Sequence, residues 1–178
     1  MLDADLGTLA RDGETVTLTF TRRFAHPPEK VWRALTEPEH LGAWFPDEIV
    51  GERRAGAPLR FMQAHGDGFD GEMTVFDPPA VMELLWGTDR LRFELTPDGA
   101  GTLLVFTDTF AELGKAARDG AGWHECLGRL ADELDGVPQA TWGEGWREIN
   151  AVYVDRLGPA AATVGPPEGW EEAARAGG

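Results

Sequence analysis

Residues 122–130 read GWHECLGRL and set His124, Glu125 and Cys126 side by side in a chain whose only cysteine is this one. A thiol, an imidazole and a carboxylate are the parts of a cysteine nucleophile with its base and orienting acid. Adjacent residues on an α-helix point about 100° apart, however, so three in a row do not meet at one reacting atom. With Trp123, Leu127, Leu130 and Leu134 defining an inward face, the spacing predicts Cys126 at the edge of that face as an inert filler. His124 falls on the opposite flank, and Glu125 is expected to face solvent.

Three other constellations invite chemistry. GDGFDG at 66–71 matches the G-x-G-x-x-G dinucleotide fingerprint, which works only where a strand turns into a helix that receives pyrophosphate. Here EMTVFDPP follows, alternating and ending in two prolines, so a hairpin is expected and no nucleotide cofactor. His65, Asp67, Asp70 and Glu72 gather at the same turn but fit neither EF-hand nor zinc spacing, which makes a solvated acidic turn the expectation and no metal. His65 ends a strand beside Met62 and is kept as a polar contact at a cavity mouth. Asp108 is the one acid in LLVFTDTF and by alternation shares the face of Phe106. Buried, it would need a partner and carry a raised pKa, the mark of a functional acid; at a strand end it would face water, the commoner outcome. Arg60, alternating with Met62, is the candidate partner or an anion contact.

The elements that must position these residues follow from periodicity. ETVTLTFTRRF at 14–24 alternates strictly, with Val16, Leu18, Phe20 and Phe24 on one face, and predicts a half-buried first strand. HPPEKVWRALTEPEHLGAWF then changes period and predicts two short helices, split at Glu37-Pro38. From about residue 48 to 110, EIVGE, APLRFMQA, GEMTVFD, AVMELLWG, LRFELT and GTLLVFTDTF return to a period of two, separated by Gly, Asp and Pro turns, as in an antiparallel meander. Over 121–136, Trp123, Cys126, Leu127, Leu130, Ala131 and Leu134 form a helical stripe that Gly136 and Pro138 end, a helix to cover the sheet. A second stripe, Trp142, Trp146, Ile149, Tyr153 and Leu157, stops at Gly158-Pro159. The division is therefore an N-terminal segment 1–13, a main domain 14–136, an amphipathic helix extension 137–158 and a surface tail 159–178 in which Trp170 is a local anchor.

With 178 residues, 42% of them hydrophobic, and seven tryptophans, the chain has material for one substantial core. A formal charge of -15 repels nucleic-acid phosphate and anionic membranes, so neither is an expected partner. One cysteine forms no internal disulfide, the first twenty residues carry no signal-peptide pattern, and no apolar run is long enough to insert in a membrane, so a cytoplasmic protein is expected.

PPEKVWRALTEPEHLGAWF at 27–45, GEMTVFDPPAVMELLW at 71–86, LRFELTPDGAGTLLVFTDTF at 91–110 and GWHECLGRLADEL at 122–134 resemble the SRPBCC superfamily, also known as START-like or helix-grip proteins. Within it the chain is similar to the group named after the activator of the heat-shock-protein-ninety ATPase, over roughly residues 14–136, and WREINAVYVDRLG resembles an extension of some bacterial members. The resemblance implies an α+β helix-grip fold: a curved antiparallel sheet, with two short helices after strand one, wrapped around a long C-terminal helix, here with one extra C-terminal helix. It also implies a cavity between sheet and helix that holds an apolar ligand in relatives. On facing elements of such a fold stand Trp44, Phe45, Phe61, Met62, Phe69, Met73, Trp86, Phe93, Phe106, Trp123 and Leu127, which with His65 and Asp108 are the expected ligand contacts, Trp86 and Trp123 foremost. For any one of them ordinary core is the commoner role; as a set, flat rings and thioethers suit an adaptable pocket more than a close-packed aliphatic core.

The expected function is binding of a small hydrophobic or aromatic ligand or lipid, in a stress-response setting, with no catalytic residue assigned. The alternatives are an aromatase/cyclase-like or hydrolytic enzyme using His65, Asp108 or His124, and a chaperone activator or homodimer joined through Trp142, Trp146 and Tyr153.

Overall fold

The computed structural model describes residues 5–64 and 66–166. The expectations on His65, Trp170 and the end of the tail lie outside them. One eight-stranded antiparallel sheet forms the frame, in the order β1-β2-β8-β7-β6-β5-β4-β3. β1 is Thr8–Asp12, β2 Thr15–Phe24, β3 Glu48–Gly51, β4 Ala57–Met62, β5 Phe69–Asp77, β6 Val81–Trp86, β7 Asp89–Asp98 and β8 Gly101–Phe110. α1 (Pro28–Thr36) and α2 (Pro38–Trp44) carry the chain from β2 to β3 at the far edge of the sheet, β3 to β8 form a meander, and β8 returns to pair with β2. The helices start at Pro28 and Pro38, where proline's fixed φ and missing N–H cost nothing.

The long helix α3, Ala116–Asp135, lies on the concave face and buries Ala117, Gly120, Trp123, Cys126, Leu127, Leu130 and Leu134. This is the helix-grip architecture. α3 begins several residues before the apolar stripe because its first turns meet the core with alanine and glycine, which leave no apolar periodicity to read. It ends at Gly136, whose φ of 67° supplies the left-handed cap.

Three features depart from the sequence reading. β1 forms an edge strand inside the N-terminal segment; its side chains are mostly exposed, so alternation gave no signal. In β5 the register shifts between Met73 and Val75, which brings Phe76 rather than Val75 onto the inner face, where it meets Trp32 at 5.3 Å. The second amphipathic helix, α4, runs Trp146–Leu157 and packs on α3 of its own chain, with Trp146 and Tyr153 buried. Two of the three large residues expected to face a partner are thus enclosed by the domain itself. Gly143 and Gly145, at φ 79° and 81°, turn the chain ahead of α4 and leave Trp142 outside it. Past α4, Ala161 is buried and the Val164 N–H donates to the Gly114 carbonyl at 3.0 Å, so the described start of the tail lies against the domain.

Tyr153 ties these layers together. Its ring lies over Gly120, where a Cβ would come within 2.8 Å of Tyr153 Cδ1, and its hydroxyl accepts the Gly7 N–H at 2.7 Å. Tyr153→Phe leaves that buried donor without a partner and is expected to lower stability by about 1–3 kcal/mol, read as a shift in the urea midpoint with the far-UV spectrum retained.

Candidate functional site

The register sets the floor of the site. Phe106 on β8 stands between Phe20 and Phe93, and two residues along, Asp108 stands between Leu18 and Leu91. All six side chains are buried. Phe93 and Phe106 stack at 4.6 Å, and Trp123 descends from α3 to meet Phe106 edge-on at 4.8 Å. From there rings continue without a break: Trp123 to Trp86 at 5.5 Å, Trp86 to Phe69 at 5.7 Å, and Phe69 to Phe61 at 5.2 Å. Phe45 touches Phe61, Trp86 and Trp123 at 5.9–6.3 Å, and Trp44 closes the inner side against Phe93 at 6.0 Å. Phe69 and Trp86 are only half-buried, so the chain of rings reaches the surface at the start of β5 and the end of β6.

Eleven of the thirteen expected contacts are gathered here or directly beneath. Met73 and Leu127 are among them as buried core residues rather than rim. Met62 is not: it neighbours the inward Phe61 on β4, so the pleat turns it to the outer face, where it is exposed. Arg60 shares that outer face and bonds to Asp70 at 2.9 Å and to the Asp67 carbonyl at 2.5 Å; it therefore belongs to the acidic turn and not to Asp108. No helix opens after GDGFDG, because β5 begins at Phe69 within it.

The polar groups of the site are mostly ones the sequence did not single out. Asp108, expected more often to face water, is fully buried. Its Oδ2 accepts the Trp123 indole N–H at 2.8 Å, while Oδ1 is buried without a hydrogen-bond partner. Burial, and secondarily the charge of Asp89, push its pKa up to about 8, against the opposing hydrogen bond from Trp123. Asp47, in the link between α2 and β3, repeats the arrangement: it accepts the Trp86 indole N–H at 2.7 Å, and burial raises its pKa. Beside Asp108, Asp89 and Asp119 bring carboxylate oxygens within 4.8 Å of one another and of Asp108, a spacing that would suit a cation. The ammonium of Lys115 bonds to Asp89 and stands 3.2 Å from Asp119. Burial works to lower the Lys115 pKa, but the neighbouring charges of Asp119 and Asp89 outweigh it and hold it raised. The i,i+4 pair in KAARD was the one sequence signal for this cluster.

The GWHECLGRL stretch carries no nucleophile. Cys126 is fully buried, and burial pushes its thiol pKa well up. His124 is half-buried with its ring 6.4 Å from that of Tyr153, and burial lowers its pKa. Glu125 does not face bulk solvent: its Oε1 accepts the Gly143 N–H at 2.6 Å, which holds the loop between α3 and α4.

Asp108 makes stability depend on pH. Its folded pKa lies above the carboxylate value of an unfolded chain, so the folded state binds the extra proton between the two. Its contribution is complete in acid and is lost as pH rises through about 8. In that window the group lowers stability by up to about 1.4 kcal/mol per pH unit. Asp108→Asn, which keeps the shape and cannot ionise, should flatten this component, so that urea midpoints of variant and parent diverge in the variant's favour from acid towards pH about 8.

Comparison with known proteins agrees with this architecture. No curated protein matches the sequence. A conserved protein of unknown function from Enterococcus faecalis, EF2215, is similar at 26% identity over 85% of this chain and 90% of its own, with a TM-score of 0.73. CalU16 from Micromonospora echinospora shares the fold at 23% identity and a TM-score of 0.71, over 86% of this chain and 98% of its own. DynU16, from the dynemicin biosynthetic locus, is 27% identical with a TM-score of 0.62, over 68% of this chain and 48% of its own. Residues 25–135 match the model of the Activator of Hsp90 ATPase homolog 1-like protein family, the span that holds α1 to α3 and every strand from β3 to β8, and the chain belongs to that family.

Proposed function

We propose that this chain binds a small hydrophobic or aromatic molecule between the β5–β6 end of the sheet and α3. The observation that supports the reading is the continuous set of rings running from the buried Phe93 to the half-exposed Phe69 and Trp86. The rings touch one another, so a guest is accommodated by displacing Phe69 and Trp86, the two with solvent on one side, and by replacing ring–ring contacts with ring–ligand contacts. Area removed from water contributes about 25 cal/mol per Å² before the costs of association. Gly68 permits the tight turn behind this mouth: its φ is 71° and a Cβ would lie 2.3 Å from the Phe61 carbonyl oxygen.

An aromatase/cyclase-like or hydrolytic reading draws on the raised pKa of Asp108, beside which the Lys115 ammonium is held between Asp89 and Asp119. A role in protein interaction draws on Trp142, the one of the three large residues left exposed, and the Arg129 guanidinium lies over one face of that ring, 3.9 Å from its centroid.

Naphthalenemethanol, a neutral flat probe, is expected to quench tryptophan emission saturably and to raise the melting temperature. Trp86→Ala should weaken its binding about tenfold, while Trp142→Ala leaves it unchanged. If neither that probe nor a panel of alkylphenols, polycyclic aromatics and long-chain alcohols binds saturably, the reading is wrong.

A further inference from the structure

The two tryptophans that meet at 5.5 Å in the middle of the ring set each give their indole N–H to a buried carboxyl group, Trp123 to Asp108 and Trp86 to Asp47. Both acids are nearly or wholly enclosed. Neither has a cation of its own among the described residues. The side chain of Trp86 is the hydrogen-bond donor to Asp47. Asp108 is faced from β7 by Asp89 and Leu91, from β2 by Leu18, and from α3 and the turn before it by Trp123, Asp119 and Lys115. Lys115 is engaged by Asp89 and Asp119, and Arg118 by Asp119 at 2.7 Å. Those two cations and two carboxylates match in charge, and Asp108 is the acid left over, with Oδ1 unpartnered.

A carboxyl group without a counter-ion, held at the indole edge of Trp123 with Phe106 two residues along its strand and Trp86 next in the run of rings, is complementary to one chemical class. A protonated amine on an apolar body would find both a carboxylate and π faces, which attract cations most strongly where water is excluded. We propose that the site selects organic cations, its guest being an aromatic or aliphatic amine whose ammonium pairs with Asp108. This rests on the hydrophobic-pocket reading and narrows it. Below about pH 8 the Asp108 carboxyl of the free chain holds a proton; when the ammonium arrives, the carboxyl O–H bond breaks, the proton leaves to solvent, and the amine keeps its own. Amine binding therefore strengthens as pH rises towards the range in which Asp108 ionises unaided.

The test uses the full chain and two probes of one shape, naphthylmethylamine and naphthalenemethanol, followed by titration calorimetry and tryptophan quenching. The amine is expected to bind about tenfold more tightly than the alcohol near neutral pH, with an advantage that grows between about pH 6 and about pH 8. Calorimetry in two buffers of different ionisation enthalpy should show proton release with the amine and none with the alcohol. Asp108→Asn should bring the two affinities together and remove the pH dependence while the alcohol still binds; the proton release of the unaltered chain tests the same point if that variant does not fold. Equal binding of both probes by the unaltered chain, or an amine advantage that survives Asp108→Asn, overturns the cation assignment and leaves the hydrophobic pocket standing. Failure of both probes to bind overturns the two together.

Discussion

The hydrogen bond from Trp123 to Asp108 is the constraint on which the site depends. It is the one described side-chain hydrogen bond between the inner face of the sheet and α3 that is buried at both ends. Aliphatic contacts between a helix and a curved sheet leave the helix free to slide or rotate by a fraction of a residue at little cost, since dispersion has no direction. An indole donor on a buried carboxyl oxygen removes that freedom. It fixes the rotation of α3 so that Trp123 meets Phe106, and this in turn fixes where Trp86 and Phe45 can lie.

Other parts of the fold hold this joint in place. α2 sits against α3, with Trp44 tied to α1 through its indole N–H on the Ala34 carbonyl at 2.8 Å. Arg129 donates to the carbonyls of Ala43 and Ala140, fastening the end of α2 and the loop after α3 to one side chain. α4 covers the back of α3 through Tyr153, so the helix is held on three sides and faces the rings on the fourth. Phe69 and Trp86, by contrast, stand at the start of β5 and the end of β6, each with solvent on one side.

What the sequence made legible follows from which interactions leave a periodic trace. β2 and β8 alternate through ten residues each, and their inner faces could be assigned residue by residue, including Asp108 beside Phe106. Phe61 and Met62 could not both face inward on one strand, and the alternation already present in APLRFM distinguishes them once a strand is assumed. The bulge in β5 is a non-periodic event, and β1 has too few buried side chains to alternate. The polar half of the site was hidden for a different reason. Asp47, Asp89 and Lys115 lie in or beside turns, where Asp and Lys are ordinary surface residues. Their burial arises only when the sheet curls and α3 is laid across it, a long-range consequence with no local signature.

Asp108 is also an energetically costly residue for a core position. Its two cross-strand neighbours are Leu18 and Leu91, and a leucine between them would complete an aliphatic row at no desolvation cost. An acid there costs stability, because burial must either keep it protonated or leave a charge without water, and one of its oxygens finds no donor in compensation. The Trp123 bond recovers a part of this, and a neutral asparagine could accept the same bond. Stability alone therefore accounts for an amide or a hydrocarbon at this position better than for a carboxyl group. Ionisation is the property that neither alternative offers, and it is the property on which the proposed pairing with an ammonium group draws.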